Sequence, residues 1–312
     1  VTSFGRAAAL GLLALLSGWA QEDAGAVFRT EARLVVLHVT VVDRRGNLIT
    51  NLPRSAFKTY EDGVEQQVRM FRREDVPVSM GLIIDNSGSM KEKRRKVEAA
   101  AIALVKASNR QDEVFIVNFN DEPFQDVPFT NSIKQMEGGL ARIDSRGGTA
   151  MRDAISASLA YAKKKGKHDK KVLVVVTDGN DNMSEISMEK LIHDAQQQEV
   201  LIYTIGLLTE EARSEAKQAK RALDAITRAT GGQAFYPKRI DEVSKIALQV
   251  AHDIRSQYII AYTPANQALD GSYRQIRVTV NAPHRPRVRT RSGYYATEGV
   301  AGSAALPPAR KR

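Results

Sequence analysis

Two short segments, residues 78–84 and 172–176, are apolar almost without interruption and rich in β-branched side chains. A strand with one wet face alternates apolar and polar side chains, so an unbroken apolar strand must be covered on both faces. The stretches around them carry helical periodicity instead. Val97, Ala100, Ala101, Leu104 and Val105 share one face of a helix over residues 91–108. Strand 114–119, a short edge strand near 124–129 and helix 132–143 follow, and a further helix opens after Gly147-Gly148-Thr149 and runs to about residue 164. Beyond the second apolar strand come helix 188–198, strand 200–205, helix 210–229, strand 233–236 and helix 242–255. Repeated β-α units around doubly covered strands predict that residues 77–256 form an α/β domain. Its expected architecture is a doubly wound, mostly parallel, Rossmann-like sheet with helices on both faces.

Both flanks of this domain read as strands. In the N-terminal β region, residues 27–76, strands over 33–42, 56–60 and 64–71 surround turns at 43–47 and 61–63. In the C-terminal β region, residues 257–296, strands over 258–262, 274–280 and 288–295 surround a turn at Asp270-Gly271. Three strands alone make a thin sheet. The expectation is therefore one β-sandwich built from both flanks, with the α/β domain inserted between its halves; two separate modules are the alternative. Residues 1–20 have the build of a signal peptide: Arg6, an apolar run over 7–16, then Gly18 and Ala20 at the −3 and −1 positions of a cleavage site after Ala20. That predicts a secreted or periplasmic protein. The apolar run is too short to span a bilayer comfortably, so any membrane contact should be peripheral. Residues 297–312 turn to Gly, Ala, Ser and Pro and read as a disordered tail.

Composition narrows the chemistry. With no cysteine in 312 residues, disulfides, thiolate metal sites and cysteine nucleophiles are excluded. The formal charge of +10 invites a polyanion partner, but the excess sits in clusters at 91–96, 163–171, 285–291 and 310–312, which read as solvated faces; no nucleic-acid partner is expected. No Walker loop, Gly-x-Gly-x-x-Gly turn or Gly-x-Ser-x-Gly elbow follows any strand. The five histidines, His38, His168, His193, His252 and His284, are scattered without zinc-ligand spacing and read as surface or packing residues. With no general base or positioned cation visible in the sequence near the strand ends, an enzyme is not expected.

What remains is a set of oxygen donors at strand ends. The first apolar strand runs into Asp85-Asn86-Ser87-Gly88-Ser89, the second into Thr177-Asp178-Gly179, and Thr149 opens a helix behind two glycines. Ligands of open parallel sheets gather at the carboxyl ends of strands. Asp85, Ser87 and Ser89, at alternate positions of one tight turn, can converge on a point, and Thr149 and Asp178 can join them from two other loops. All five are hard oxygen donors, suited to Mg²⁺ or Mn²⁺ and not to zinc or copper. Asp153, one turn beyond Thr149, is either a group that supports a ligand from behind or, the favoured reading, an exposed acid, and Asp181 reads as a loop residue.

Asp-x-Ser-x-Ser after a buried strand, Gly-Gly-Thr before a helix and Thr-Asp-Gly after a later strand resemble the metal-ion-dependent adhesion site of von Willebrand factor type A domains. The resemblance covers about residues 78–255, and the five site positions fall on Asp85, Ser87, Ser89, Thr149 and Asp178 without a substitution. It implies an Mg²⁺- or Mn²⁺-dependent adhesion or protein-interaction domain. The β flanks and the leader also resemble bacterial secreted proteins related to that family, by arrangement more than by motif. Two formal negative charges leave an ion with residual positive field and an open position, which the Asp or Glu carboxylate of a protein partner could fill. The alternative is a metal-independent interaction protein that binds anionic partners through its basic patches.

Overall fold

The computed structural model describes residues 34–73, 75–141, 145–179, 181–209 and 212–297. The expected leader over 1–20 lies outside the described residues, as does the expected tail apart from Thr297.

The N-terminal flank forms β1 (Val35–Val42), β2 (Phe57–Glu61), β3 (Val64–Gln66) and β4 (Val68–Arg72). The α/β domain follows with β5 (Val78–Asp85), α1 (Arg94–Lys106), β6 (Glu113–Phe119), β7 (Pro123–Thr130), α2 (Ile133–Leu140), α3 (Met151–Lys165) and β8 (Lys170–Thr177). It continues with α4 (Met188–Gln197), β9 (Leu201–Gly206), α5 (Arg213–Thr230), β10 (Ala234–Phe235) and α6 (Val243–Arg255). The C-terminal flank is β11 (Tyr258–Tyr262), β12 (Tyr273–Val280), β13 (Arg287–Arg289) and β14 (Gly293–Tyr295).

The central sheet has strand order β10-β9-β8-β5-β6-β7, parallel except for the antiparallel edge strand β7. This is the doubly wound, mostly parallel sheet expected from the unbroken apolar runs. Its two faces carry separate cores. Met80, Leu82 and Ile84 pack with α1, α2 and α6, whereas Ile83 packs with α3, α4 and α5. Gly81 sits on the second face, where a Cβ would lie 2.4 Å from Phe115 Cζ and 2.6 Å from Leu173 Cδ2. The rings and branches of the two neighbouring strands fill the space a side chain would need. Gly81→Ala is expected to cost about 1–3 kcal/mol through overpacking, read as a lower urea midpoint at unchanged slope.

The flanking strands form two four-stranded sheets, β13-β1-β11-β4 and β14-β12-β2-β3, each mixing strands from both ends of the chain. Leu37, Val39, Phe57, Tyr258, Ile260, Ile276 and Val278 share one core between them. Inside it the Glu61 carboxylate accepts hydrogen bonds from the hydroxyls of Tyr262 (2.7 Å) and Tyr294 (2.9 Å). The flanks thus make one sandwich core, and α6 leads directly into β11 at its centre.

Two runs expected as single strands are broken. Residues 64–71 split into β3 and β4, and 288–295 into β13 and β14, with the halves of each run in opposite sheets. The corners are made by distant contacts. Gln66 accepts from Ala265 N (3.0 Å), and the buried Arg291 reaches Glu199 (2.6 Å) and Val36 O (3.1 Å). No helix among the described residues is long and apolar enough to cross a membrane.

Candidate metal centre

The chain leaves β5 toward β6 and β7 on one side and later fills β8, β9 and β10 on the other. Loops after β5 and β8 therefore part, opening a crevice at their carboxyl ends. Asp85 closes β5, and Asp178 follows Thr177, the last residue of β8; both acids are 0% exposed.

The first loop is held by its own backbone. Ser87 N donates to Asp85 Oδ1 (2.8 Å) and Met90 N to Ser87 O (3.1 Å), so residues Gly88–Met90 make one 3-10 turn anchored by the buried Met90 side chain. This turn delays the helix expected from residue 91, and α1 begins at Arg94. The Ser87 and Ser89 hydroxyls lie 3.2 Å apart, and Ser89 Oγ donates to Asp178 Oδ1 at 2.9 Å. On the far side Thr177 Oγ1 donates to Asp85 Oδ2 at 2.5 Å. Asp85, Ser87, Ser89 and Asp178 thus form one hydrogen-bonded set spanning two strand ends.

The loop that carries Thr149 is tied in through its backbone. Gly147 O accepts from Gly88 N (3.2 Å), while Thr149 N donates to Asn182 Oδ1 (2.9 Å) and Thr149 O accepts from Asn182 N (3.1 Å). Its loop is therefore clamped to both others, although among the described residues its hydroxyl makes no hydrogen bond to the other four groups. The loop's shape depends on Asp121, which sequence reading missed. Gly147 has φ +74°, where a Cβ would also strike the Asp121 carboxylate at 2.3 Å, and Asp121 Oδ1 accepts from Gly148 N at 2.6 Å. Asp121→Ala is expected to weaken Mg²⁺ binding about tenfold, the usual order for a group that positions a ligand. Because Asp121 is exposed, melting should barely move; calorimetry and thermal melts check both.

Electrostatics distinguish the two acids. Burial pushes the Asp85 carboxyl up to about 6, with the nearby Asp178 charge acting the same way and hydrogen bonds from Ser87 and Thr177 opposing it. Asp178 instead has a partner: Lys93 Nζ donates to its Oδ2 at 2.7 Å, with the lysine side chain 10% exposed. This corrects two expectations. A cation is positioned at the strand ends, and the basic cluster at 91–96 is not wholly solvated. Arg94 is buried too, donating to Asn118 Oδ1 (2.8 Å) and to the Asp85 carbonyl (3.4 Å). Burial lowers its guanidinium pKa to about 10. Both side chains leave the first turn of α1 on the crevice side, and helical periodicity alone did not mark them as interior.

Asp153 also differs from the exposed acid expected. It accepts from Glu185 N and Ile186 N, each at 3.0 Å, and so fastens the loop after β8 to the start of α3. Asp181 is a loop residue as expected, accepting from Arg152 N at 2.7 Å and Ser184 Oγ at 2.8 Å.

The donor set suits a hard divalent ion: two carboxylates and three hydroxyls, with the Asp178 charge close enough to raise the Asp85 carboxyl. No three His, Cys, Asp or Glu converge among the described residues. An ion here would take part of its shell from hydroxyls and water, as Mg²⁺ tolerates.

Comparison with known proteins fixes the class. The chain belongs to the von Willebrand factor type A domain family, whose model matches residues 80–255. It is 24% identical over 166 residues to calcium-activated chloride channel regulator 1 of Equus caballus, covering 50% of this chain and 16% of that relative. Its fold is similar to that of a von Willebrand factor type A protein from Catenulispora acidiphila, at TM-score 0.52 and 11% identity, over 87% of this chain and 76% of the other. That share of this chain is larger than residues 80–255 alone. Proximal thread matrix protein 1 of the mussel byssus, in a structure with a zinc-occupied MIDAS motif, is similar at TM-score 0.51 and 17% identity, over 62% of this chain and 50% of that one.

Proposed function

We propose that this chain is a secreted or envelope-associated binding protein that captures a protein ligand through a divalent ion, Mg²⁺ or Mn²⁺, and catalyses no reaction. The residues proposed to hold the ion are Asp85, Ser87, Ser89, Thr149 and Asp178. The observation that carries this reading is the hydrogen-bonded set linking Asp85 to Asp178 at the parting of the strand order. When bound, the ion supplies a hard Lewis-acidic centre with coordination positions left open.

The chain's own residues set its character. Asp85 and Asp178 contribute the negative charge, the two serines and Thr149 contribute neutral oxygens, and Lys93 offsets part of the acidity beside Asp178. So few anionic donors leave a net positive field that favours an Asp or Glu carboxylate on a partner. The zinc-occupied motif of the mussel protein supports a divalent ion in this kind of site without choosing the metal. The second reading, capture of anionic partners through basic patches, would rest on the exposed members of those clusters, among them Lys91, Lys96, Lys163 and Lys167, since Lys93, Arg94, Lys170 and Arg291 are buried.

Water-proton relaxation of the Mn²⁺-loaded protein tests the open position. Adding a short Glu-containing peptide should lower the relaxation enhancement as the carboxylate replaces bound water, and the amide version of the peptide should not. An unchanged signal with both peptides would count against carboxylate capture, and no enhancement on adding Mn²⁺ would count against the ion itself.

A further inference from the structure

At the opposite pole of the α/β domain, where β8 and β9 begin, the structure encloses a cavity of about 420 Å³ against the sandwich. One wall is the outer face of the sheet β13-β1-β11-β4. Strand register places Leu37, Ile260 and Phe71 in one cross-strand row toward the sandwich core, and His38, Ile259 and Arg72 in the adjacent row on the outer face. Val36 and Met70, two positions along, line the same wall. The facing wall is mixed: Ala195 and Ala229 near the ends of α4 and α5 and Leu201 opening β9 supply apolar surface, beside Lys170, Gln196 and Glu199.

We propose that this cavity binds a small monocarboxylate with a linear apolar tail, the carboxylate lying between Arg72 and His38 and the tail along Val36, Met70 and Leu201. The volume and the mixture of apolar walls with a few polar groups, set between two packed layers, are those of small-molecule sites. The polar groups decide the sign of the ligand. Arg291 is already engaged by Glu199 (2.6 Å) and Val36 O (3.1 Å), and Lys170 donates to Ile254 O. Arg72 forms no ion pair or side-chain hydrogen bond among the described residues, and His38 Nδ1 is buried without a partner. Across adjacent strands, neighbouring side chains stand about 5 Å apart, so one carboxylate above Ile259 can reach both flanking groups.

The local field points the same way. Burial holds the His38 imidazole well below its ordinary range, and the charges of Lys170 and Arg291 push it the same way. The lining carries Arg72, Lys170 and Arg291 against two acids, of which Glu199 is neutralised by Arg291 and Asp169 is exposed. Lys170 is itself faced by Asp253, Asp75 and Asp112, which leaves Arg72 as the lining cation with no ion pair among the described residues, and an anion answers that charge where a cation does not.

Calorimetric titration of the full chain with decanoate, kept below its micelle concentration, tests the assignment, with 1-decanol as the uncharged probe. Wild type should bind decanoate at one saturable site. Arg72→Gln, a change on an edge strand at a half-buried residue, should weaken decanoate about tenfold or more and leave decanol unchanged. Met70→Trp, which fills the cavity from the same edge strand, should remove binding of both, with circular dichroism confirming that each variant is folded. No saturable decanoate binding to wild type overturns the proposal. Equal decanoate affinity in folded Arg72→Gln, or in folded Met70→Trp, overturns it as well.

Discussion

Asp85→Asn is expected to abolish Mg²⁺ binding and, in metal-free protein at pH 7–8, to raise the melting temperature above wild type. The first half follows from the donor set. Asp85 is one of two carboxylates in the hydrogen-bonded set among the described residues, and losing its charge should weaken binding by at least about a hundredfold, beyond what a positioning group contributes. The second half follows from burial. The Asp85 carboxyl is 0% exposed and its pKa is raised from 3.8 to about 6, so the charged form is held at a cost in the folded protein. For a group whose folded pKa lies above its unfolded value, that cost is full above the folded pKa and disappears as pH falls toward the unfolded one. A shift of this size corresponds to about 3 kcal/mol at most. Asn keeps one acceptor for the donors at Ser87 and Thr177 and turns an amide N–H₂ toward the other, which returns part of the gain. A net stabilisation on the order of 1 kcal/mol, a few degrees in melting temperature, is expected at pH 7.5. It should shrink as pH falls from 6 toward 4. A variant that melts at or below wild type at pH 7.5 would contradict the account of a strained, pre-formed ligand.

The second large effect concerns Lys93, and its two consequences have opposite signs. In the metal-free protein its ammonium neutralises Asp178, a carboxylate with no exposed surface, at 2.7 Å. Lys93→Met leaves that charge beside Asp85 without this partner, and breaking a buried pair from one side costs about 3 kcal/mol. A divalent ion at Asp178 must share the carboxylate with the ammonium or displace it. Removing the lysine should therefore raise Mg²⁺ affinity about tenfold or more, given the strength of such charges at short range. Melting in EDTA should fall and melting in excess Mg²⁺ should recover, because the ion binds only the folded state. Paired melts and calorimetry measure both. Weaker Mg²⁺ binding in the variant would mean that Lys93 supports the donor set and does not compete with the ion.

The parts of this arrangement that depend on local pattern were legible in the sequence. Unbroken apolar runs at β5 and β8 and amphipathic periodicity in α1 define a sheet covered on both faces. The placement of Asp85 and Asp178 at the ends of those strands follows from the same runs. Thr149 could be named as a candidate from its motif, yet the clamp on its loop could not, because the Asp121 and Asn182 contacts join loops 27 and 33 residues apart. Lys93 escaped notice for a related reason: a lysine in a basic run reads as solvated, and only the one-turn delay at Gly88–Met90 brings it into the crevice. The broken strands show the limit from the other side. Residues 64–71 and 288–295 have continuous strand character, and their corners exist because Gln66 and Arg291 are tied to residues about two hundred and about a hundred positions away. Tertiary contacts override strand propensity where two sheets exchange a chain.

The central claim is that the strand-end oxygens hold a divalent ion, and calorimetric titration of Mg²⁺ into EDTA-stripped protein, wild type beside Asp85→Asn, meets it most directly. A single saturable site in wild type that is lost in folded Asp85→Asn is the expected result. No saturable binding in wild type, or binding of equal strength in the variant, would contradict it.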